Sequence, residues 1–241
     1  MNLIKLDAID STNDFLKGLS KDENIENFTV VTANSQTNGK GQMGAKWISE
    51  IGKNLTVSVL IKNVISKSNN YFELNVAIAL SLLESLNSFE IPNLSIKWPN
   101  DIMSDNKKIA GILIENILKS DGSVISIIGF GLNVNQTSFE NLVKASSLKW
   151  ITKKDYNHDL VLETIIENIK KNILLIDNSD LFWENYNNLL FKKGVIMPFE
   201  NKNGNKFMGI IQEVSRKGKL KLLLENDIIE QYDVKEIAML Y

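Results

Sequence analysis

The chain has 241 residues, 44% of them hydrophobic and 23% charged, enough for a sizeable core in one domain or in one domain with a small appendage. A formal net charge of −2 gives no overall basic field for nucleic acid, and the lack of any cysteine excludes disulfides, thiolate nucleophiles and cysteine-held metals. The one histidine, His158, stands before an apolar-periodic run and is expected at a solvated helix start, which leaves histidine-based hydrolases without their parts.

In chain order, residues 1–9 can form a first strand, with Ser11 or Thr12 as the N-cap of a short helix through Phe15, Leu16 and Leu19. Phe28 to Ala33 and Leu55 to Ile61 have strand character, and Asn34 to Asn38 is a polar spacer after the first of these. Helical spacing of Phe72, Val76, Ala79, Leu80 and Leu83 predicts a helix over Tyr71 to Leu86. Strands are expected at Leu94 to Trp98, Lys108 to Leu118 and Val124 to Phe130, the last two joined by a hairpin turn at Ser120-Asp121-Gly122. Two further helices, Asp159 to Ile176 and Asp180 to Phe191, precede a tail of short β-prone runs that fits a small barrel. The division expected is a mixed α/β body over 1–192 and a β domain over 193–241. No run is apolar for the length of a membrane span, and the acidic start MNLIKLDAIDS lacks a leader-like region, so a cytoplasmic protein is expected.

The stretch TNGKGQMGAKW, Thr37 to Trp47, contains G-x-G-x-x-G, but a dinucleotide fingerprint must follow a strand directly and open a helix. Here a polar spacer precedes the glycines and a strand follows, so they belong to a strand-to-strand loop. Gly39, Gly41 and Gly44 let backbone N–H groups approach a ligand, and Lys40 and Lys46 supply charge for an anion; the bland alternative is a flexible surface loop. Three other polar segments stand out. Ser11-Thr12-Asn13 closes the first strand. In Lys97-Trp98-Pro99-Asn100-Asp101, proline stops a strand and exposes an amide and a carboxylate beside an aromatic. Gly129 and Gly131 in GFGLNVN mark a bulge or a close backbone approach.

In this order and spacing the segments resemble the biotin protein ligase family. The matching pieces are Asp10-Ser11-Thr12-Asn13, Gln36 with the loop from Gly39 to Trp47, Lys97 to Asp101, Lys108 to Glu115 (KIAGILIE) and Gly129 to Asn133 (GFGLN). The resemblance is dense from residue 4 to residue 135, and the tail matches in texture the small Src-homology-like barrel of many members. It implies a class II synthetase-like α/β catalytic domain with a largely antiparallel mixed sheet. It also implies an ATP-dependent ligase that makes biotinyl-5′-AMP and transfers biotin to a lysine of a biotin carboxyl carrier domain, of the acetyl-CoA carboxylase type.

By the same resemblance, Ser11, Thr12, Asn13 and Gln36 would hold the ureido head of biotin, with Lys40, Gly41, Gln42, Lys108 and Gly111 also on the biotin side. Gly39, Lys40, Gly41, Gly44, Trp47, Asn100, Lys108 and Asn133 would contact ATP or the adenylate. Lys108 and Lys40 would neutralise developing charge, and Asp101 would orient the acceptor lysine or take its proton, with Lys97 in support. Mg²⁺ is expected with ATP, its ligands unassigned because no carboxylate cluster singles itself out.

Members often carry arginines in the glycine loop where this chain has Lys40, Gln42, Met43 and Ala45, and a lysine lacks the guanidinium fork. Ser11 stands too near the start for a preceding winged helix, so no DNA partner or repressor role is expected. A membrane partner is not expected either, and the chain is expected as a monomer or homodimer. A lipoate or octanoate ligase or transferase would share the fold but not both the glycine loop and the Lys97–Asp101 segment. A non-catalytic biotin sensor would not need Lys108 or Asp101.

Overall fold

The protein is described from a computed structural model covering residues 2–64, 71–140, 142–176 and 179–241, without the side chains of residues 179 and 226. Met1, included in the first expected strand, lies outside the described residues. Seven strands form the main sheet: β1 (Leu3–Ile9), β2 (Val30–Gln36), β3 (Leu55–Lys62), β4 (Leu94–Lys97), β5 (Asp101–Ser104), β6 (Lys107–Leu118) and β7 (Val124–Leu132). Their order is β1-β2-β3-β7-β6-β5-β4, with β1 and β2 parallel and the other neighbours antiparallel. The fold is thus mixed α/β with a largely antiparallel sheet, as expected.

The central strands are buried on both faces, so β3 and β7 are nearly continuous in apolar residues rather than alternating. One face carries Val57, Val59, Ile61, Ile128, Phe130 and Leu132 and is covered by α2 (Tyr71–Ser88). The opposite face carries Leu60, Ile125 and Ile127 and is covered at one end by Leu16 of α1 (Thr12–Leu19). After α3 (Leu148–Thr152), α4 (His158–Leu174) and α5 (Ser179–Asn188) pack outside α2. Sandwiched in this way, α2 is apolar almost all round. Its Ser81 and Ser85 hydroxyls bond back to Ala77 and Ser81 carbonyls, and they accept from Asn172 and Asn168 of α4 at 3.1 and 2.8 Å. Small hydroxyl residues with satisfied polar groups let two helices approach closely here.

The tail forms a second sheet, wholly antiparallel, of β8 (Ile196–Asn201), β9 (Lys206–Val214), β10 (Leu220–Leu223), β11 (Ile229–Tyr232) and β12 (Ile237–Met239), in the order β11-β10-β9-β8-β12. Phe199, Ile211, Val214, Leu220, Leu222 and Ile237 merge its interior with the main core. The indole N–H of Trp98 donates to the Gly218 carbonyl at 2.8 Å, pinning the β9–β10 turn beside the β4–β5 connection.

Three local features differ from the sequence reading. β2 continues through the polar spacer to Gln36, because β1 offers it a ladder as far as Ile9–Gln36. β5 follows Asn100 immediately, making a four-strand-residue hairpin arm too short and polar at its start to show periodicity. α3 is a five-residue helix capped by Ser147, whose hydroxyl accepts from the Trp150 N–H.

Candidate active site

Side-chain alternation builds the floor. On β7, Gly129 and Gly131 share a face with Ile127, and their neighbours on β3 are Ser58 and Thr56. On β6 the facing residues are Leu113 and Gly111, and Gly111 in turn pairs with Asp101 of β5. One row across the sheet therefore reads Thr56–Gly131–Gly111–Asp101, and the next reads Ser58–Gly129–Leu113. The glycines are needed for room rather than for backbone freedom, since none of these three has a positive φ. A Cβ at residue 131 would enter the Trp47 ring, one at 129 would overlap the Asn13 amide, and one at 111 would come within 3.0 Å of Lys108 Nζ. Three side chains singled out in the sequence thus lie directly on a glycine floor.

Above the floor is a cleft of about 350 Å³. Ser11, Thr12 and Asn13, all buried, form one end, where β1 hands over to α1 and Ser11 caps the helix by accepting from the Asp14 N–H. Gln36, at the end of β2, accepts from the Thr12 N–H at 2.8 Å and from the Thr12 hydroxyl at 3.0 Å. Ser58 Oγ stands 2.8 Å from Thr12 Oγ1 and 2.5 Å from Asn13 Oδ1, and Asn13 Nδ2 donates to Glu115 at 2.9 Å. This end of the cleft offers amides and hydroxyls, suited to a neutral ligand with several polar edges.

The other end is charged. Lys108 Nζ is 2.6 Å from Asp101 and 5.6 Å from the centre of the Trp47 ring, while Lys97 Nζ is 3.8 Å from the second Asp101 oxygen. Burial lowers the pKa of Lys97 below its ordinary value, opposed by Asp101 and reinforced by Lys108 and Lys144. Tyr241 caps the cluster, with Lys144 and Lys97 4.1 and 5.3 Å from its ring centre; burial and then Asp101 raise its phenol pKa. The indole N–H of Trp47 is buried without a hydrogen-bond partner. Such an orphan donor inside a cleft is suited to a ligand acceptor.

The glycine loop roofs the cleft and leads from strand to strand. Its core is a 3-10 turn at Gln42–Gly44 closed by Gly41 N–H to Ala45 O at 2.7 Å, with Lys40 and Lys46 bridged across its base. Lys40 is held 2.6 Å from Asp14, and this hydrogen bond raises the ammonium pKa. Lys235, between β11 and β12, donates to the Met43 carbonyl at 2.6 Å, joining the loop tip to the second sheet, which closes the cleft with Phe199, Ile211, Leu220 and Ile237.

Of the residues singled out in the sequence, Ser11, Thr12, Asn13, Gln36, Lys40, Gly41, Gln42, Trp47, Asn100, Asp101, Lys108 and Gly111 line this cleft, as does Lys97. Gly39, Gly44 and Asn133 lie outside it. Gly39 is buried against the Trp47 carbonyl, and Gly44 sits exposed at φ +83°. Asn133, buried just past the end of β7, has its amide donating to Ser146 O at 2.9 Å. The Asn100 amide is committed to Ile112 O at 2.6 Å, tying the β4–β5 turn to β6. Thr56, Ser58, Asp14, Lys235 and Tyr241 escaped the sequence reading, and Glu115 entered it only as the last residue of a matching segment, with no role. Thr56 and Ser58 had a signal, two hydroxyls on alternate positions of an otherwise apolar central strand.

A mixed α/β fold whose larger sheet floors a cleft between amide and ammonium groups, with the five-stranded sheet as its wall, can take a ligand that is polar at one end and anionic at the other. The chain belongs to the Biotin/lipoate A/B protein ligase family, whose model matches residues 6–133. It is similar to the bifunctional ligase/repressor BirA of Escherichia coli, 28% identical over 245 residues that cover 97% of this chain and 73% of that protein. It is also similar to the biotin–[acetyl-CoA-carboxylase] ligase of Mycobacterium tuberculosis, 25% identical over 80% of this chain and 72% of that protein. The biotin protein ligase from Aquifex aeolicus, solved in complex with biotin and ATP, superposes with a TM-score of 0.81 at 30% identity, covering 99% of this chain and 98% of that one.

Proposed function

We propose that this chain is a biotin protein ligase which activates biotin as biotinyl-5′-AMP and transfers it to a lysine of a biotin carboxyl carrier domain of the acetyl-CoA carboxylase type. The observation that carries the reading is the polarity of one continuous cleft, amides and hydroxyls at Ser11–Asn13 and Gln36, ammonium groups at Lys40, Lys97 and Lys108. Family membership supports biotin ligation, and the Mycobacterium tuberculosis relative's name supports the acceptor class.

In this reading the ureido head of biotin occupies the amide end, with its carboxylate directed to the ammonium end. A carboxylate oxygen attacks the α-phosphorus of ATP, a new P–O bond forms, and the bond to the pyrophosphate leaving group breaks. Anionic nucleophile and triphosphate meet only if their charge is neutralised, the role assigned to Lys108 and Lys40. Both cations are paired with carboxylates, Asp101 and Asp14, so reactant binding replaces or shares a ready-made partner rather than ordering a free side chain. The Trp47 N–H and ring are assigned to the adenylate. Among the described residues no group of three or more Asp, Glu or His could hold a metal, so Mg²⁺ would take its ligands mainly from phosphate oxygens and water.

In the second step a neutral lysine amine attacks the acyl carbon and AMP leaves. The amine loses a proton, and Asp101 is the acceptor assigned, with Lys97 and Lys108 placed 3.8 and 2.6 Å from its oxygens. Residues 1–192 would carry the chemistry and residues 193–241 the wall and the Lys235 contact to the loop. No helix among the described residues is long and apolar enough to cross a membrane. Pyrophosphate release from ATP tests the first step. It should require biotin and not respond to lipoate; equal release with lipoate would move the chain to the other branch of its family.

A further inference from the structure

We infer that Glu115 is a positioning residue for biotin, fixing through Asn13 which edge of an amide faces the ligand's ureido ring; the inference rests on the biotin-ligase reading above. Glu115 lies on β6 opposite Ile127, on the same sheet face as the glycine floor and one row beyond Gly129. Its Oε2 accepts from Asn13 Nδ2 at 2.9 Å, and Lys17 Nζ stands 3.6 Å from Oε1. The side chain is about a quarter exposed, at 27%, so the bond to Asn13 is only partly in competition with water.

An asparagine amide is nearly symmetric in shape, and its two ends differ only in donating or accepting. An ionised carboxylate can only accept. Glu115 therefore holds the Asn13 NH₂ toward itself and turns Oδ1 to Ser58 Oγ, 2.5 Å away. The amide cannot escape downward, because it rests on Gly129 where even a Cβ would collide with it. With its one proton given to Asn13, the Ser58 oxygen is left to accept from the Thr12 hydroxyl 2.8 Å away, and Thr12 keeps Gln36 through its backbone N–H, so the orientation set at Glu115 is passed to the hydroxyls that would meet a cyclic urea. Without the carboxylate, Asn13 is free to turn over and present NH₂ to the Ser58 hydroxyl. Ser58 would then accept from that NH₂ and turn its own proton to Thr12, reversing the direction of donation along the row.

The experiment is direct biotin binding by titration calorimetry to the full chain, for wild type, Glu115→Ala, Glu115→Gln, Asn13→Ala and the Asn13→Ala/Glu115→Ala double variant. Loss of a bond to a charged group should weaken biotin in Glu115→Ala by about ten- to a hundredfold. Glu115→Gln, whose Oε1 can still accept, should recover most of that loss. In the Asn13→Ala background, removing Glu115 should cost nothing further, a coupling that general destabilisation does not reproduce. Wild-type affinity in Glu115→Ala, or an equal loss with and without Asn13, overturns this inference alone. A wild-type chain that binds no biotin overturns it together with the functional reading.

Discussion

Adding one methyl group at Gly131 should damage the Trp47 end of the cleft, assigned above to the nucleotide, while leaving the backbone intact. Gly131 has no positive φ, and it is buried one residue before the end of β7, paired with Thr56 of β3 and Gly111 of β6, so alanine meets no conformational objection there. The obstacle is the Trp47 ring, whose Cδ2, Cε2 and Cζ2 atoms lie inside contact distance of the added carbon. The strand cannot recede, since it is bonded on both sides, so the ring must lift off the floor. Overpacking of this kind costs about 1–3 kcal/mol. If that energy is charged to the state in which Trp47 meets the nucleotide, it corresponds to roughly a 5- to 150-fold rise in the KM for ATP. Biotin affinity should change much less, because Asn13 rests on Gly129 and not on Gly131. Pyrophosphate release with ATP varied at saturating biotin measures the first quantity and calorimetry the second. Combining Gly131→Ala with Trp47→Ala removes the collision, so the methyl group should then add little. An unchanged KM for ATP in Gly131→Ala, or the same loss in the Trp47→Ala background, would refute the reasoning.

Lys108→Ala should slow biotin-dependent pyrophosphate release by about a hundredfold while biotin binding falls far less, because its charge is assigned to the phosphoryl-transfer step; wild-type release would remove it from that step. Asp101→Asn should impair transfer from pre-formed biotinyl-5′-AMP to the carrier by at least about tenfold and adenylate synthesis less, and undiminished transfer sinks the assignment. Lys40→Ala should slow adenylation by about tenfold and speed loss of the adenylate to solvent. Limited proteolysis reports the same loop: biotin should protect residues 37–47 and the adenylate should protect them more in wild type, with that difference lost in Lys40→Ala.

Long periodic segments were legible in the sequence. Leu55–Ile61, Tyr71–Leu86 and the β6–β7 hairpin at Gly122 follow from apolar spacing and turn chemistry, and the structure has them within a few residues. Short elements were not, because β5 and α3 are fixed by partners rather than by their own pattern: Asp101–Ser104 by β4 and β6, and Leu148–Thr152 by the Ser147 cap. In the site, the motif residues were recognisable as odd polar or glycine residues in apolar surroundings, yet their arrangement was not. Nothing in the order of residues says that Gly129 and Gly131 are spaces for Asn13 and Trp47, which are distant in sequence and arrive from other elements. Long-range polar pairs such as Lys40–Asp14, Asn13–Glu115 and Lys235–Met43 are likewise products of the fold, and no local pattern announces them.

Incubation of the full chain with ATP, Mg²⁺, biotin and an isolated biotin carboxyl carrier domain, read by the intact mass of the carrier, tests the central claim most directly. The account predicts a gain of one biotinyl group, dependent on ATP and abolished by replacing the carrier's acceptor lysine. No gain with biotin, or a gain with lipoate in its place, would contradict it.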